Sequence, residues 1–190
     1  MIKKKKRFKI QDSRFKSLLE TYNLQLATLF LLFTVLSSCS PPPGTRGTQP
    51  NVKVGEPAFP FTLNLTNGST VTLDTFKDKP LVITFMSSWC PCSNDSAPVF
   101  KEVYNKYHPQ GVEFLMLGIQ DKERKFKKFL DKQNFPFPAG FDDGDNIALT
   151  YGVNAPPTTF FITRDGKIKS AFYGRILEAD KLSKWVEEIV

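Results

Sequence analysis

Cysteine, histidine and unbroken apolar sequence are all scarce in this 190-residue chain. The longest uncharged apolar stretch runs from Leu24 to Leu36. It is too short to span a bilayer comfortably, which takes about 20 residues. No internal repeat is present, so the sequence beyond residue 54 reads as one domain with a single core. One histidine, His108, occurs, and nothing points to nucleotide, flavin or haem. No cofactor and no metal are therefore expected. Of the three cysteines, Cys39 belongs to a leader, which leaves Cys90 and Cys92 as the thiols of the domain.

A formal charge of +7 does not imply a nucleic-acid partner. Residues 1–38 carry eight basic and two acidic side chains, so nearly all the excess sits there. A basic region, a short apolar stretch and small residues before a cysteine have the pattern of a secretory signal. Leu36-Ser37-Ser38-Cys39 resembles the bacterial lipobox. That resemblance implies cleavage before Cys39 and lipidation of its sulfur; an uncleaved signal anchor is the alternative. Either places the remainder outside the cytoplasm, tethered to a membrane of the cell envelope, where disulfides are permitted. Residues 39–54 then form the lipidated N-terminus and a Pro/Gly-rich linker, and residues 55–190 the domain.

Within the domain, Asn67-Gly68 between two alternating runs predicts a hairpin. Leu81–Met86 reads as a strand buried on both faces. Val99, Val103 and Tyr107 recur at helical spacing after the cysteines. A strand over 112–119, a charged helix over about 122–134, a hairpin about Asp165-Gly166 and a final helix carrying Leu182, Trp185, Val186 and Ile189 follow. This order predicts an α/β fold with a central mixed sheet, right-handed crossovers, helices on both faces and an N-terminal β-hairpin.

The run Trp89-Cys90-Pro91-Cys92-Ser93 closes the first buried strand. Val54-Gly55-Glu56-Pro57-Ala58, Tyr151-Gly152-Val153 and Ala155-Pro156-Pro157-Thr158-Thr159-Phe160 accompany it in order. Together these segments resemble the thioredoxin superfamily, and within it the TlpA/ResA-like thiol–disulfide oxidoreductases, or redoxin domains. The resemblance implies the thioredoxin-like fold, exchange with protein thiols and disulfides, a membrane or soluble redox donor, and a cis-proline at Pro157, followed by Thr158, beside the redox cysteine.

The nucleophile of thiol exchange is the thiolate, and a helix N-terminus favours that form. Pro91 suits the first helical position, because its missing N–H would be unpaired there. Cys90 is then the N-cap and the attacking thiol, with a sulfur placed to receive N–H bonds from the first turn. Dithiol redox motifs have two residues between the cysteines; here there is one. Two registers are open. In the gapless one, Cys90 and Pro98 keep the family spacing, Ser93 takes the second-cysteine position and Cys92 is an additional thiol. In the other, Cys92 is the resolving cysteine, and a Cys90–Cys92 disulfide would distort the first turn, since residues two apart do not share a helix face.

The family's buried acid is replaced by Thr84, and its second tryptophan by Met86, a packing change. Asp95 is a candidate proton acceptor, or stabilises the first turn of the helix. Three other functions fit less of the chain. A peroxiredoxin-like thiol peroxidase would use Ser87 and Cys90, with Ile83 where that pattern has proline. A copper-binding envelope chaperone would need His108 with the soft thiolates. A non-catalytic module would leave the cysteine pair idle.

Overall fold

The computed structural model describes residues 52–190; the leader, the lipobox and most of the linker lie outside them. Strands β1 (Thr62–Asn64) and β2 (Thr70–Thr72) form the expected antiparallel hairpin. A 3-10 turn over Leu73–Phe76 leads to β3 (Leu81–Met86). Helix α1 (Pro91–Tyr107) follows, then β4 (Glu113–Gly118) and helix α2 (Glu123–Gln133). A short strand β5 (Ala139–Phe141) and helix α3 (Asn146–Thr150) precede β6 (Thr158–Ile162), β7 (Ile168–Tyr173) and helix α4 (Ala179–Glu187).

The five-stranded sheet has the order β5-β4-β3-β6-β7. Strand β3 lies at its centre, parallel to β4 and antiparallel to β6. All six residues of β3 are buried, as its continuous apolar sequence requires. Alternation divides them between two cores. Leu81, Ile83 and Phe85 join the hairpin, Ala148 and Tyr151 on one face. Val82 and Met86 join Phe100, Phe126, Leu182 and Val186 on the other. Each of these large apolar side chains contributes roughly 1.5–3 kcal/mol by burial.

The longer helices α1, α2 and α4 line one core, while the second face is covered by the hairpin and α3. The mixed sheet with helices on both faces is as expected, with the smaller share on the hairpin side. Strand β5 and helix α3 have no counterpart in the expected elements. Ala139-Gly140-Phe141 becomes a strand by pairing in parallel with β4, and a β-carbon at Gly140 would meet the Asn64 carbonyl of the hairpin. Helix α3 is held by buried Asp142, whose carboxylate accepts the Ile147 N–H at 3.1 Å and the Ala148 N–H at 2.8 Å. Asp142 is pushed above its ordinary value by burial, with those N–H bonds opposing the shift.

Helix α1 ends as its sequence indicates. His108–Gln110 form a 3-10 turn, and Gly111 closes it in the left-handed region at φ 90°, where glycine carries no β-carbon penalty. The opposite end of α1, at the carboxyl end of β3, carries the cysteines.

Candidate active site

Chain polarity brings the cysteines to the sheet's edge. Strand β3 delivers Ser87-Ser88-Trp89, and the Cys90 N–H bonds the Ser87 carbonyl at 3.2 Å. Cys90 is the N-cap of α1 and Pro91 occupies its first turn, both as expected. Asn94 reinforces the junction. Its backbone N–H bonds the Cys90 carbonyl at 3.2 Å, and its side-chain amide donates to Ser88 and Cys90 carbonyls at 3.1 and 2.9 Å.

One expectation at this position is corrected. The Cys90 side chain makes no capping hydrogen bond to the helix. Its thiol donates instead to the Pro156 carbonyl, 3.5 Å away. The sulfur thus faces the loop before β6 and not down the helix axis. That loop contains the cis peptide bond Pro156–Pro157, at the position the sequence indicates. Thr158 follows, buried, with its hydroxyl on the Ala155 carbonyl at 2.8 Å.

Cys90 is a free thiol, so it is not joined to Cys92. It is 6% exposed, against 2% for Cys92 and none for Ser93. Pro91 is exposed at the rim. Ser93 turns inward, and its hydroxyl oxygen accepts the Ser87 N–H at 3.2 Å. Ser93 therefore ties the first turn of α1 to the loop that presents Cys90.

Trp89 is 55% exposed beside the thiol, yet its indole N–H is fixed on the Gln120 carbonyl at 2.7 Å. The loop leaving β4 holds the rest of the cysteine loop too. The Ser88 N–H bonds an Asp121 carboxylate oxygen at 2.6 Å, and the Ser87 hydroxyl donates to the Ile119 carbonyl. Gln120 reaches further, its amide donating to the Asn154 carbonyl at 2.9 Å. Sequence reading did not single out Asn94, Gln120, Asp121 or Asn154. No motif marks Gln120, Asp121 or Asn154, since their partners come from loops 31 to 34 residues away, whereas Asn94 bonds locally, to Ser88 and Cys90.

Thr84 and Thr159 face each other across β3 and β6, with hydroxyl oxygens 3.2 Å apart and both side chains buried. Thr84 thus replaces an acid with a neutral pair. Met86 is buried in the helix-side core, as a packing residue would be. Asp95 is exposed and pairs with Arg175 at 3.4 Å, which ties α1 to the segment after β7. Ser96 strengthens that tie, accepting the Ile176 N–H at 2.9 Å.

His108 lies at the far end of α1 from Cys90, stacked on Tyr104 at 4.6 Å. A helix of this length is about 25 Å long, so the structure does not bring His108 to the cysteines. Among the described residues, no group of three metal-ligating side chains is present. Ser87 commits its hydroxyl to a backbone carbonyl, although it stands three residues before Cys90 as in the peroxidase pattern.

A mixed sheet whose central strand presents a thiol at a helix start, facing a cis-proline loop, defines a thioredoxin-fold redoxin. Residues 54–171 match the AhpC/TSA family. A thiol-disulfide oxidoreductase ResA of Bacillus cereus is 30% identical over 147 residues, covering 77% of this chain and 84% of that protein. The ResA of Bacillus anthracis is 32% identical over 124 residues, or 65% of this chain and 71% of its own. Among solved structures, a secreted Mycobacterium tuberculosis disulfide oxidoreductase homologous to E. coli DsbE superposes with a TM-score of 0.61 and 25% identity. It covers 67% of this chain and 95% of that one. A Chlorobium tepidum thiol:disulfide interchange protein shares the fold with a TM-score of 0.65 at 18% identity, over 74% and 97% of the two chains. The chain belongs to the AhpC/TSA family, and within it to the ResA-like thiol–disulfide oxidoreductases.

Proposed function

We propose that this enzyme exchanges disulfides with protein thiols in the cell envelope, with Cys90 as the attacking thiol. The supporting observation is the free Cys90 thiol at the N-cap of α1, 3.5 Å from the Pro156 carbonyl. A substrate disulfide that displaces the Pro156 carbonyl from the sulfur is attacked by the Cys90 thiolate. A new Cys90–substrate sulfur bond forms, the substrate S–S bond breaks, and the second substrate sulfur leaves as a thiolate. A donor thiolate then attacks the Cys90 sulfur of the mixed disulfide, and the reduced substrate leaves as a thiolate. A second donor thiol attacks the Cys90–donor bond, freeing Cys90 as the donor closes its own disulfide.

The gapless register has the better structural support. Ser93 is the buried first-turn residue three positions after Cys90, and Cys90 is not bonded to Cys92. In this reading Cys90 works as a monothiol toward substrate, and Cys92 is not its disulfide partner. Trp89 and Pro91 form the rim that the substrate meets, while Pro157 and Thr158 hold the facing loop.

The leader supports extracytoplasmic action, with Cys39 lipidated and the Pro/Gly-rich residues after it serving as the tether. Deleting that sulfur by Cys39→Ala should release the domain from membranes on fractionation.

Mass spectrometry of the protein trapped with a disulfide-bearing peptide tests the chemistry. The expected product is one mixed disulfide at Cys90, lost in Cys90→Ala and retained in Cys92→Ala. A Cys90–Cys92 disulfide as the dominant oxidised form would overturn the monothiol reading. Peroxide-driven sulfenate on Cys90, without peptide exchange, would favour the peroxidase instead.

A further inference from the structure

The loop leaving β4 bonds both the Trp89 side and the Pro156 side of the Cys90 thiol, two walls that Gln120 joins. Its carbonyl accepts the indole N–H of Trp89, the neighbour of Cys90, at 2.7 Å. Its side-chain amide donates to the Asn154 carbonyl at 2.9 Å, two residues before the carbonyl that receives the Cys90 thiol. Its own backbone sits in the left-handed region at φ 49°, which a side-chain-bearing residue adopts at a cost unless its surroundings hold it there. Here the Gln120 N–H is held by an Asp145 carboxylate oxygen at 2.8 Å.

We infer that Gln120 is a positioning residue that sets the gap between the Cys90 thiol and the Pro156 carbonyl, and so selects polypeptide disulfides over small ones. The inference rests on Cys90 being the attacking thiol. The bonds form a closed path: Cys90 to Trp89 by the chain, Trp89 to Gln120 by the indole, Gln120 to Asn154 by the amide, and Asn154 to Pro156 by the chain. Cutting the amide link removes the side-chain tie between the Pro156 wall and the Trp89 wall and lets their spacing vary. A polypeptide must lie along both walls at once, so it needs the gap held. A small disulfide needs only the sulfur. Because near-attack geometry is sensitive to displacements on the order of 1 Å, loss of the link acts on the polypeptide reaction selectively.

The test compares two substrates of the reduced full chain: oxytocin, a cyclic peptide with one disulfide, and dithiodipyridine, a small aromatic disulfide. Gln120→Leu keeps the approximate size and removes the donor; Gln120→Glu keeps the shape and sets an acceptor against the Asn154 carbonyl. Both variants should slow mixed-disulfide formation with oxytocin by roughly two- to tenfold, the net worth of one hydrogen bond. The dithiodipyridine rate should change less than twofold, with thermal unfolding close to that of the parent. Parallel loss of both rates would mark a general structural role and overturn the inference, as would an unchanged oxytocin rate. Failure of the parent chain itself to react with oxytocin through Cys90, judged against Cys90→Ala, would overturn the reading beneath it.

Discussion

The Ser93 hydroxyl oxygen accepts the Ser87 N–H at 3.2 Å, so a serine on the first turn of α1 anchors the loop that carries the nucleophile. Residues three apart share a helix face, which puts Ser93 on the same side of α1 as Cys90. A thiol at Ser93 would therefore have a path to Cys90 without unwinding the turn. Cys92, two residues on, lacks it.

The substitution Ser93→Cys should create a dithiol. Oxidation should then cost Cys90 its reactivity toward alkylating agents and lower the mass by two hydrogens, with dithiothreitol restoring both. Ser93→Ala should behave differently. It leaves the buried Ser87 N–H without this acceptor, at a cost of about 1–3 kcal/mol, readable by urea unfolding. No intramolecular bond in Ser93→Cys would refute the gapless register.

How far the sequence could have led depends on the range of the interactions. Leu81–Met86 announces a doubly buried strand by composition alone, and Pro91 marks the helix start because both signals are local. The cis bond at Pro157 could be placed because flanking residues resemble a known family. Strand β5 could not be foreseen, since Ala139-Gly140-Phe141 has no strand period and gains its state from β4. The direction of the Cys90 sulfur failed for the same reason. Its partner, the Pro156 carbonyl, is 66 residues away, and a local capping argument does not include it. The clamp by Gln120 and Asp121 is likewise a property of loop proximity, invisible to periodicity or motif.

The Thr84–Thr159 pair stands beneath the helix face of the sheet with no carboxylate in it, and its two hydroxyls satisfy each other at 3.2 Å. Removing one leaves the other buried without that partner. Thr84→Val alone should lower stability by about 1–3 kcal/mol, and Thr159→Val alone should do the same. The double variant should recover most of the loss, because two valines of similar shape demand no hydrogen bond. Chemical denaturation of the three variants measures the coupling. Strict additivity would show that the hydroxyls do not depend on each other.

Asp142 gives the fold a pH dependence whose sign is unusual for a carboxylate. Its folded value lies above the ordinary 3.8 because burial disfavours the charged form more than the Ala148 and Ile147 N–H bonds favour it. The folded chain therefore keeps a proton that the unfolded chain has already lost. Stability linked to this group is present in acid and declines as pH rises from 3.8 through the folded value. At neutral pH the ionised carboxylate still holds the first N–H groups of α3, but against its own desolvation. Asp142→Asn removes the titration and keeps one acceptor oxygen. The difference in unfolding free energy between parent and variant, followed from pH 4 upward, should move against the parent as pH rises through that window, then level off. A difference that grew in the parent's favour over the same range would show that the N–H bonds outweigh burial, and that Asp142 is a net stabiliser of α3 and of the Asn154–Pro157 loop that follows it.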